Sequence, residues 1–226
     1  MDGLSNFIDM NYNICITHGN GPQIGSELLK NENSDSITPS FPLGVLVANT
    51  QGAIGYMIQQ SLANLINEVG RNHPIATVIT QVEVDPDDPA FENPTKPIGP
   101  FYEEDEAKSV SGEKGWQIAP DSNRGYRRVV PSPYPIKILE LPAIRKLVSE
   151  GIIVITVGGG GIPVVKREGR YVGIDAVIDK DFSSALLAAN LNAHTFIILT
   201  GVDQVAINFG KPTERPLSQL DTKEAK

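Results

Sequence analysis

Short apolar runs alternate along the chain with segments in which apolar residues recur at helical spacing. The apolar runs, rich in β-branched residues, occupy residues 13–17, 75–84, 152–157, 174–178 and 196–200. Runs of this length and composition, bounded by turn residues, predict buried strands. The run at 152–157 has no polar alternation, which is typical of a central strand in a parallel sheet.

Helical segments lie between these predicted strands. In residues 50–69 the apolar positions fall on one helical face, and Gly70 follows as a C-cap. A shorter helix is predicted at 141–150, and another at 181–190, with Asp181 as its capping residue. Strand, helix and strand in this order imply right-handed βαβ units. The pattern therefore predicts an α/β fold with a mainly parallel sheet.

Residues 85–135 interrupt the alternation. They contain many prolines, an acidic run at 103–106, one lysine (Lys96) in the proline-bounded stretch 93–102, and three arginines within 124–128. A rigid excursion with isolated cations suits a lid over an anionic ligand. The alternative is a surface insertion in which the lysine and the arginines pair with the acidic run. We favour the lid.

Glycine-rich turns follow two of the predicted strands. Residues 18–21 combine a strand end, two glycines and, with Pro22, a helix start. That arrangement leaves backbone N–H groups free to bind an anion, although an ordinary βα turn fits equally well. Four consecutive glycines at 158–161 are costly to order. We expect them to bring backbone close to a ligand rather than to serve packing, with a flexible linker as the alternative.

A lysine between two acids follows the run at 174–178. Helix capping alone would explain Asp181. However, Asp179, Lys180 and Asp181 together at the carboxyl end of a strand also form the arrangement expected for phosphate and metal handling.

Composition narrows the possible partners. The formal net charge is −8 without a long basic tract, so nucleic acid and anionic membranes are not expected partners. Cys15 is the single cysteine, which excludes a disulfide framework and a thiolate metal cluster. We recognise neither a signal peptide nor an apolar run of membrane-spanning length, and we expect a cytoplasmic protein.

Seven segments stand out along the chain. They are T-H-G-N-G-P-Q-I-G (17–25), Q-G-A-I-G-Y-M-I-Q-Q (51–60), V-D-P-D-D-P-A-F (84–91), P-T-K-P-I-G-P-F-Y (94–102), R-G-Y-R-R-V-V-P-S-P (124–133), G-G-G-G-I-P-V (158–164) and A-V-I-D-K-D (176–181). In this order they resemble the carbamate kinases of the amino-acid kinase superfamily. One such segment would be weak support for the resemblance, but seven segments in the family's order make the resemblance specific.

The resemblance implies a three-layer αβα sandwich around a mainly parallel sheet. It also implies one domain over residues 1–226, with 85–135 as a small, mobile inserted subdomain. The implied reaction is reversible transfer of a phosphoryl group between ATP and carbamate, giving ADP and carbamoyl phosphate. Mg²⁺ would accompany the nucleotide, the protein would be a homodimer, and its pathway would be arginine and carbamoyl phosphate catabolism with ATP synthesis.

The resemblance also assigns site residues by position, without any protein ligand set for a metal. Catalytic residues would be Lys96, Asp179, Lys180 and Asp181. Carbamate and the transferred phosphoryl group would bind at Gly19, Asn20 and Gly21. The nucleotide would be bordered by Gly158, Gly159, Gly160, Gly161, Thr200 and Val202.

Some family features have no counterpart in this sequence. The family's first strand with its Gly-Gly-Asn loop and a late phosphate-binding lysine are missing, and Gly201 stands where relatives commonly have an acid. We therefore expect a family member that lacks both ends and has low turnover as given. The alternatives are a non-catalytic remnant that binds nucleotide or a partner, and a kinase for another small carboxylate such as acetylglutamate. Residues 94–102 argue against the second alternative.

Overall fold

The computed structural model describes residues 12–34, 37–121, 124–221 and 223. The chain divides into two compact units, Met1–His194 and Thr195–Lys226, and each is described by itself. The prediction of a single domain over residues 1–226 stays a prediction.

Helices and strands alternate through the described part of the first unit. Its helices are α1 (Gly21–Asn33), α2 (Leu43–Glu68), α3 (Glu104–Lys114), α4 (Leu141–Ser149) and α5 (Lys180–Leu191). Its strands are β1 (Cys15–Ile16), β2 (Ile75–Thr77), β3 (Gln81–Val84), β4 (Lys96–Tyr102), β5 (Ile118–Pro120), β6 (Tyr126–Val130), β7 (Pro135–Ile138), β8 (Ile153–Ile155), β9 (Ile162–Arg167) and β10 (Arg170–Gly173). Short 3₁₀ turns occur at Pro89–Phe91 and Gly158–Gly160.

β8 is the central strand of a parallel sheet with the order β1–β8–β2. Successive residues of β8 face opposite sides, as the pleat requires. Ile153 packs in a cluster with Leu62 and Ile66 of α2. Val154 packs on the other side, in a cluster with Ile144 of α4. Helices therefore cover both faces of the sheet, and the predicted three-layer α/β architecture is confirmed.

A second sheet has the strand order β10–β9–β3–β7. β3 is parallel to β9 and antiparallel to β7, while β9 and β10 form a hairpin. Glu168 and Gly169 have φ values of 49° and 79° at its tip. Two consecutive positive φ angles suit the right-handed twist of a two-residue hairpin.

The predicted strand at 75–84 is wrong as a single element. The chain instead forms β2 in the first sheet and β3 in the second, with a break at residues 78–80. At the break, the Thr80 hydroxyl donates to the Val78 carbonyl at 2.7 Å and lies 2.6 Å from the Thr156 hydroxyl. These side-chain bonds replace ladder bonds where the chain changes sheet.

Two further predicted strands are also wrong. Residues 174–178 are described but form no strand, although Ala176 and Ile178 are buried. Val177 donates one backbone bond to Pro131, so this segment is buried without a ladder. Residues 196–200 likewise form no strand, and Leu199 is 92% exposed. An apolar, β-branched composition does not create a strand unless a neighbouring strand pairs with it.

Two helices differ from the prediction at their N-terminal ends. α2 begins at Leu43 rather than at residue 50, because the preceding apolar residues Leu43, Leu46 and Val47 also pack into the core. α5 is capped by Asp179 and not by Asp181. The Asp179 carboxylate accepts a hydrogen bond from the Asp181 backbone N–H at 2.9 Å.

The interrupting segment contains regular structure of its own. β4, β6 and β5 form an antiparallel sheet, and the acidic run opens α3. Acids in a first helical turn interact favourably with the helix dipole. Arg127 pairs with Asp121 at 3.1 Å and lies over the ring of Phe101. Lys96 pairs with Asp179 at 2.9 Å. The alternative pairing with residues 103–106 is therefore wrong for these two cations, while the mobility of a lid stays a prediction.

The second unit contains one hairpin among its described residues. β11 (Val205–Ile207) pairs with β12 (Arg215–Leu217) in antiparallel register. Across the described parts of both units, no helix combines the length and apolar character that a membrane span requires.

Candidate active site

The three parallel strands β1, β8 and β2 end at the same edge of their sheet, which is where α/β folds usually bind ligands. The turn after β1, residues 18–21, is here called the β1 turn, and residues 158–161 after β8 are called the glycine turn. The Gly159 N–H donates to the His18 carbonyl at 2.8 Å, so these two turns are in direct contact.

The β1 turn leads directly into α1. The Asn20 carbonyl accepts from the Ile24 N–H at 2.8 Å, and Pro22 lies in the first turn of the helix, where its missing N–H costs nothing. The Asn20 side chain is 5% exposed and donates to the Thr50 hydroxyl at 2.9 Å. Neither Gly19 nor Gly21 has a positive φ, so a left-handed conformation is not the reason for these two glycines.

The glycine turn is buried and tightly packed. A Cβ atom added to any of its members would overlap a neighbouring group. The overlapped groups are the His18 ring for Gly158, the Asn20 amide for Gly159, the Ile178 carbonyl for Gly160 and the Val82 side chain for Gly161. The expectation that these glycines do not serve packing is therefore wrong, because close packing at this edge requires all four. Their role toward a nucleotide stays a prediction.

Backbone conformation is a second reason for glycine in this turn. Gly159, Gly160 and Gly161 have φ values of 65°, 93° and 90°. Val157, just before the turn, also has a positive φ of 52°, which is uncommon for a β-branched residue. Strained backbone of this kind concentrates at functional sites, where surrounding contacts hold it in place.

Lys180 brings a cation to the β1 turn. A Cβ atom on Gly19 would lie 3.2 Å from the Cδ atom of Lys180, so the lysine stem passes directly over this glycine. The Lys180 ammonium group donates to Asp181 at 2.7 Å. Both side chains are about half exposed, which leaves the ammonium group accessible to an anion.

Lys96 reaches the same helix start from the inserted subdomain. Its ammonium group donates to the Asp179 carboxylate at 2.9 Å. Partial burial alone would raise the pKa of Asp179, but hydrogen bonds from Lys96 and from the Asp181 N–H, with the charges of Lys96 and Lys180, outweigh it. The pKa of Asp179 is therefore lowered, and this acid is ionised at neutral pH.

His18 lies in the turn predicted from the sequence, but it was not among the predicted site residues. Burial lowers its pKa, and a hydrogen-bond interaction of its ring with the Gly19 carbonyl, at 2.9 Å, opposes the shift only partly. The ring is therefore neutral at pH 7 and packs against Gly158. A neutral ring can fill this space without adding charge beside an anion site.

Buried polar side chains concentrate at this edge. Within the described residues they are Asn20, Thr50, Gln51, Thr80, Thr156, Ser183 and Ser184. Each hydrogen bonds to a strand-end turn or to another member of the set. A buried polar network is costly unless it is satisfied, and it fixes one arrangement when it is. No sequence signal marked this network, because α2 also carries polar residues that are not buried, such as Asn49 and Gln59.

The structure thus brings most of the predicted site residues together. Gly19 meets Lys180, Asn20 meets Gly159, and Lys96 meets Asp179. Thr200 and Val202 belong to the second unit, where the Thr200 hydroxyl donates to the Val202 carbonyl at 2.9 Å, and their role toward a nucleotide stays a prediction. In the described part of the chain, no group of three or more His, Cys, Asp or Glu side chains could hold a metal by itself.

Comparison with known proteins places this edge in context. The model of the family described as "Amino acid kinase family" matches residues 1–226. The chain belongs to the amino acid kinase family. Within that family it is similar to carbamate kinases. It is 48% identical to the carbamate kinase of Thermococcus kodakarensis, over 97% of this chain and 70% of that protein. It is 50% identical to that of Staphylococcus haemolyticus, over 98% of this chain and 72% of that protein.

Solved structures agree with the family assignment. The carbamate kinase from Giardia lamblia bound to AMP-PNP superimposes with a TM-score of 0.85 at 42% identity. The match covers 95% of this chain and 68% of that one. A structure of the Giardia lamblia enzyme bound to citric acid gives a TM-score of 0.85 at 41% identity, over 91% of this chain and 67% of that one. The predicted resemblance to carbamate kinases is therefore confirmed.

Proposed function

We propose that this amino acid kinase family member is an ATP-dependent phosphotransferase that moves a phosphoryl group between ATP and carbamate, reversibly, giving ADP and carbamoyl phosphate. Its relatives' names support the reaction, and the AMP-PNP complex of the Giardia lamblia relative supports the nucleotide. We place the reaction in arginine and carbamoyl phosphate catabolism, in the direction that makes ATP.

The observation that carries this proposal is the meeting of two cations at one helix start. Lys96 comes from the inserted subdomain and contacts Asp179. Lys180, the residue after Asp179, lies over Gly19 of the β1 turn. Phosphoryl transfer depends on positioning and on stabilising charge at the transferred group. Two lysines fixed at the start of α5, one of them over the β1 turn, supply both. A general base is unnecessary, because carbamate is already an anion.

The other roles follow from position. Gly19, Asn20 and Gly21 hold carbamate and the transferred phosphoryl group, in a turn that offers backbone N–H groups at the start of α1. The glycine turn borders the nucleotide phosphates. Thr200 and Val202 are proposed to border the nucleotide by sequence resemblance alone. Asp179 holds Lys96, and Asp181 holds Lys180.

Mg²⁺ is proposed to arrive with the nucleotide. Such ions are usually held by one or two carboxylates together with substrate phosphates, rather than by a cage of protein ligands. Asp179 and Asp181 are two partly exposed carboxylates at this edge, so the residues fit that mode. The bound ion would neutralise phosphate charge, while the protein's own lysines orient the transferred group.

A homodimer is also proposed. α2 has no charged residue before Glu68, yet it exposes Tyr56 (60%) and Met57 (51%). Tyr56 lines a shallow cleft of about 400 Å³ between the helix and β2, whose lining also includes Ile79. An uncharged, partly apolar helix face of this kind supports burial against a second copy.

A cytoplasmic location is also proposed for the protein. It is supported by Cys15, which has no partner cysteine for a disulfide.

The test is formation of ATP from ADP and carbamoyl phosphate by the 226-residue chain, with Lys180→Ala as the variant. Loss of one charge-stabilising donor typically lowers kcat by about 10²–10³-fold. Lys146→Ala is the matched control, since Lys146 pairs with Glu150 on the surface of α4 and is 74% exposed. No turnover, with ADP still bound, would favour a non-catalytic nucleotide-binding remnant. Equal rates for the two variants would remove Lys180 from the site.

A further inference from the structure

Gln51 lies in the segment 51–60, which resembles carbamate kinases, but its side chain points into the first unit. It is 2% exposed, in a helix whose buried neighbours are mostly apolar. Burying a primary amide is unfavourable unless its hydrogen bonds are replaced. The partners of this amide therefore show what it holds in place.

All three of its hydrogen bonds go to backbone at the ends of strands. The amide nitrogen donates to the Thr80 carbonyl at 3.2 Å and to the Gly158 carbonyl at 3.0 Å. The amide oxygen accepts from the Thr80 N–H at 2.8 Å. Both donors are used, so the amide has one defined orientation. Gln51 thus joins the break between β2 and β3 to the glycine turn.

The Gly158–Gly159 peptide extends this link to the β1 turn. Its carbonyl accepts from Gln51, and its N–H, on Gly159, donates to the His18 carbonyl at 2.8 Å. The carbonyl and N–H of a trans peptide point in opposite directions. One peptide plane is therefore held between Gln51 on one side and the β1 turn on the other.

Thr80 provides a second link between Gln51 and the glycine turn. Its hydroxyl lies 2.6 Å from that of Thr156 and accepts from the Val157 N–H at 3.1 Å. Because Gln51 holds both backbone groups of Thr80, it also acts on Val157, whose φ of 52° sets the entry into the glycine turn. Hydrogen bonds therefore hold the glycine turn at two places, its first peptide and the residue that precedes it.

We propose that Gln51 is a positioning residue for phosphoryl transfer. Through the Gly158–Gly159 peptide, it sets the separation between the β1 turn and the glycine turn. This inference rests on the proposed function, which assigns carbamate to the first turn and nucleotide to the second. Donor and acceptor must be aligned closely for transfer, and a misplacement of about 1 Å can cost about 10²-fold in rate.

The kinetic test compares Gln51→Met with Gln59→Met in the 226-residue chain. Methionine keeps the length of the side chain and removes the amide. Gln59 is the matched control, because it lies on the same helix and accepts from the Thr77 hydroxyl at 2.9 Å, without contact to either turn through that bond. Gln51→Met should lower kcat by about 10–10²-fold, with KM for ADP and carbamoyl phosphate changed far less. Gln59→Met should leave kcat close to that of the parent.

A second measurement is independent of turnover. Amide hydrogen exchange should become faster in Gln51→Met at residues 17–21 and 157–161, with α4 and β9 unchanged. If the methionine variant does not fold, Gln51→Glu replaces it: its carboxyl group keeps an acceptor for the Thr80 N–H, and it loses at least one of the two donors, because a protonated carboxyl has a single O–H. Faster exchange at 157–161 alone, or a kcat no lower than that of Gln59→Met, would overturn the proposal. If the parent has no turnover, the proposed function fails, and exchange alone decides whether Gln51 couples the two turns.

Discussion

Gly159→Ala should destabilise the first unit by about 2–5 kcal/mol, with one part of the cost from backbone strain and another from a neighbouring side chain. Gly159 has a φ of 65°, and a Cβ atom there would overlap the amide of Asn20. A left-handed conformation costs an L-residue about 1–2 kcal/mol. This first term would be the same anywhere in the chain.

The second term comes from Asn20. To make room, its side chain must leave a site where it is 5% exposed and donates to the Thr50 hydroxyl at 2.9 Å. Leaving buried polar groups without partners costs about 1–3 kcal/mol. Asn20 is also a proposed carbamate-binding residue, so the same substitution should lower activity.

Gly115 provides a matched control. It has a φ of 66°, almost the same as that of Gly159, but a Cβ atom at Gly115 would have no neighbour within 4 Å. Gly115→Ala should therefore cost only the backbone term. Both substitutions restrict the unfolded chain equally, so that contribution cancels in the comparison. The expected difference between the two variants is about 1–3 kcal/mol.

The assay is urea denaturation of each variant followed by far-UV circular dichroism, with m-values compared before free energies are. Trp116 fluorescence is less suitable, since Trp116 is next to Gly115 in the chain. Equal destabilisation by the two substitutions would refute the reasoning. It would mean that Asn20 moves aside without a loss of stability and that the φ angles alone maintain the shape of the glycine turn.

Three further predictions concern the same edge. Lys96→Ala should lower kcat far more than it weakens ADP binding measured by calorimetry, because its charge acts mainly in the transition state; equal losses would indicate ground-state binding. Asp179 has a lowered pKa when folded, so its ionised form adds stability above its ordinary pKa, and that stability is lost as pH falls through the folded-state value. The stability difference between the parent and Asp179→Asn should thus be full at pH 7 and shrink below about pH 4, whereas a difference independent of pH would contradict it. Gly21→Val should fold with a stability change within about 1 kcal/mol, since Gly21 has an ordinary φ and open space around it, but should lose turnover; an active variant would remove this residue from the substrate site.

Local patterns in the sequence determined a substantial part of this fold. The apolar run at 152–157 predicted the central strand β8, and helical spacing predicted α2 from residue 50 onward. These elements form where they were expected because their periodicity matches the burial that the sheet offers. The proposed catalytic residues were identified from the family resemblance, because members of a family keep their functional residues at matching positions along the chain.

Only the tertiary structure decided which apolar runs become strands. Residues 75–84 divide between two sheets at Thr80, and residues 174–178 are buried without a ladder. Apolar composition reports that a segment tends to be buried, whereas a strand also needs a neighbour to receive its hydrogen bonds. That neighbour is distant in sequence and cannot be read from the segment itself.

The reason for the glycine turn was likewise hidden in the sequence. Four consecutive glycines indicated a close approach of backbone, but the approaching groups belong to His18, Asn20, Val82 and Ile178, far away along the chain. Gln51 gave no sign of its three backbone bonds, because a glutamine in a helix is usually a surface residue. Sequence determined which residues are small or polar, and long-range packing determined what they touch.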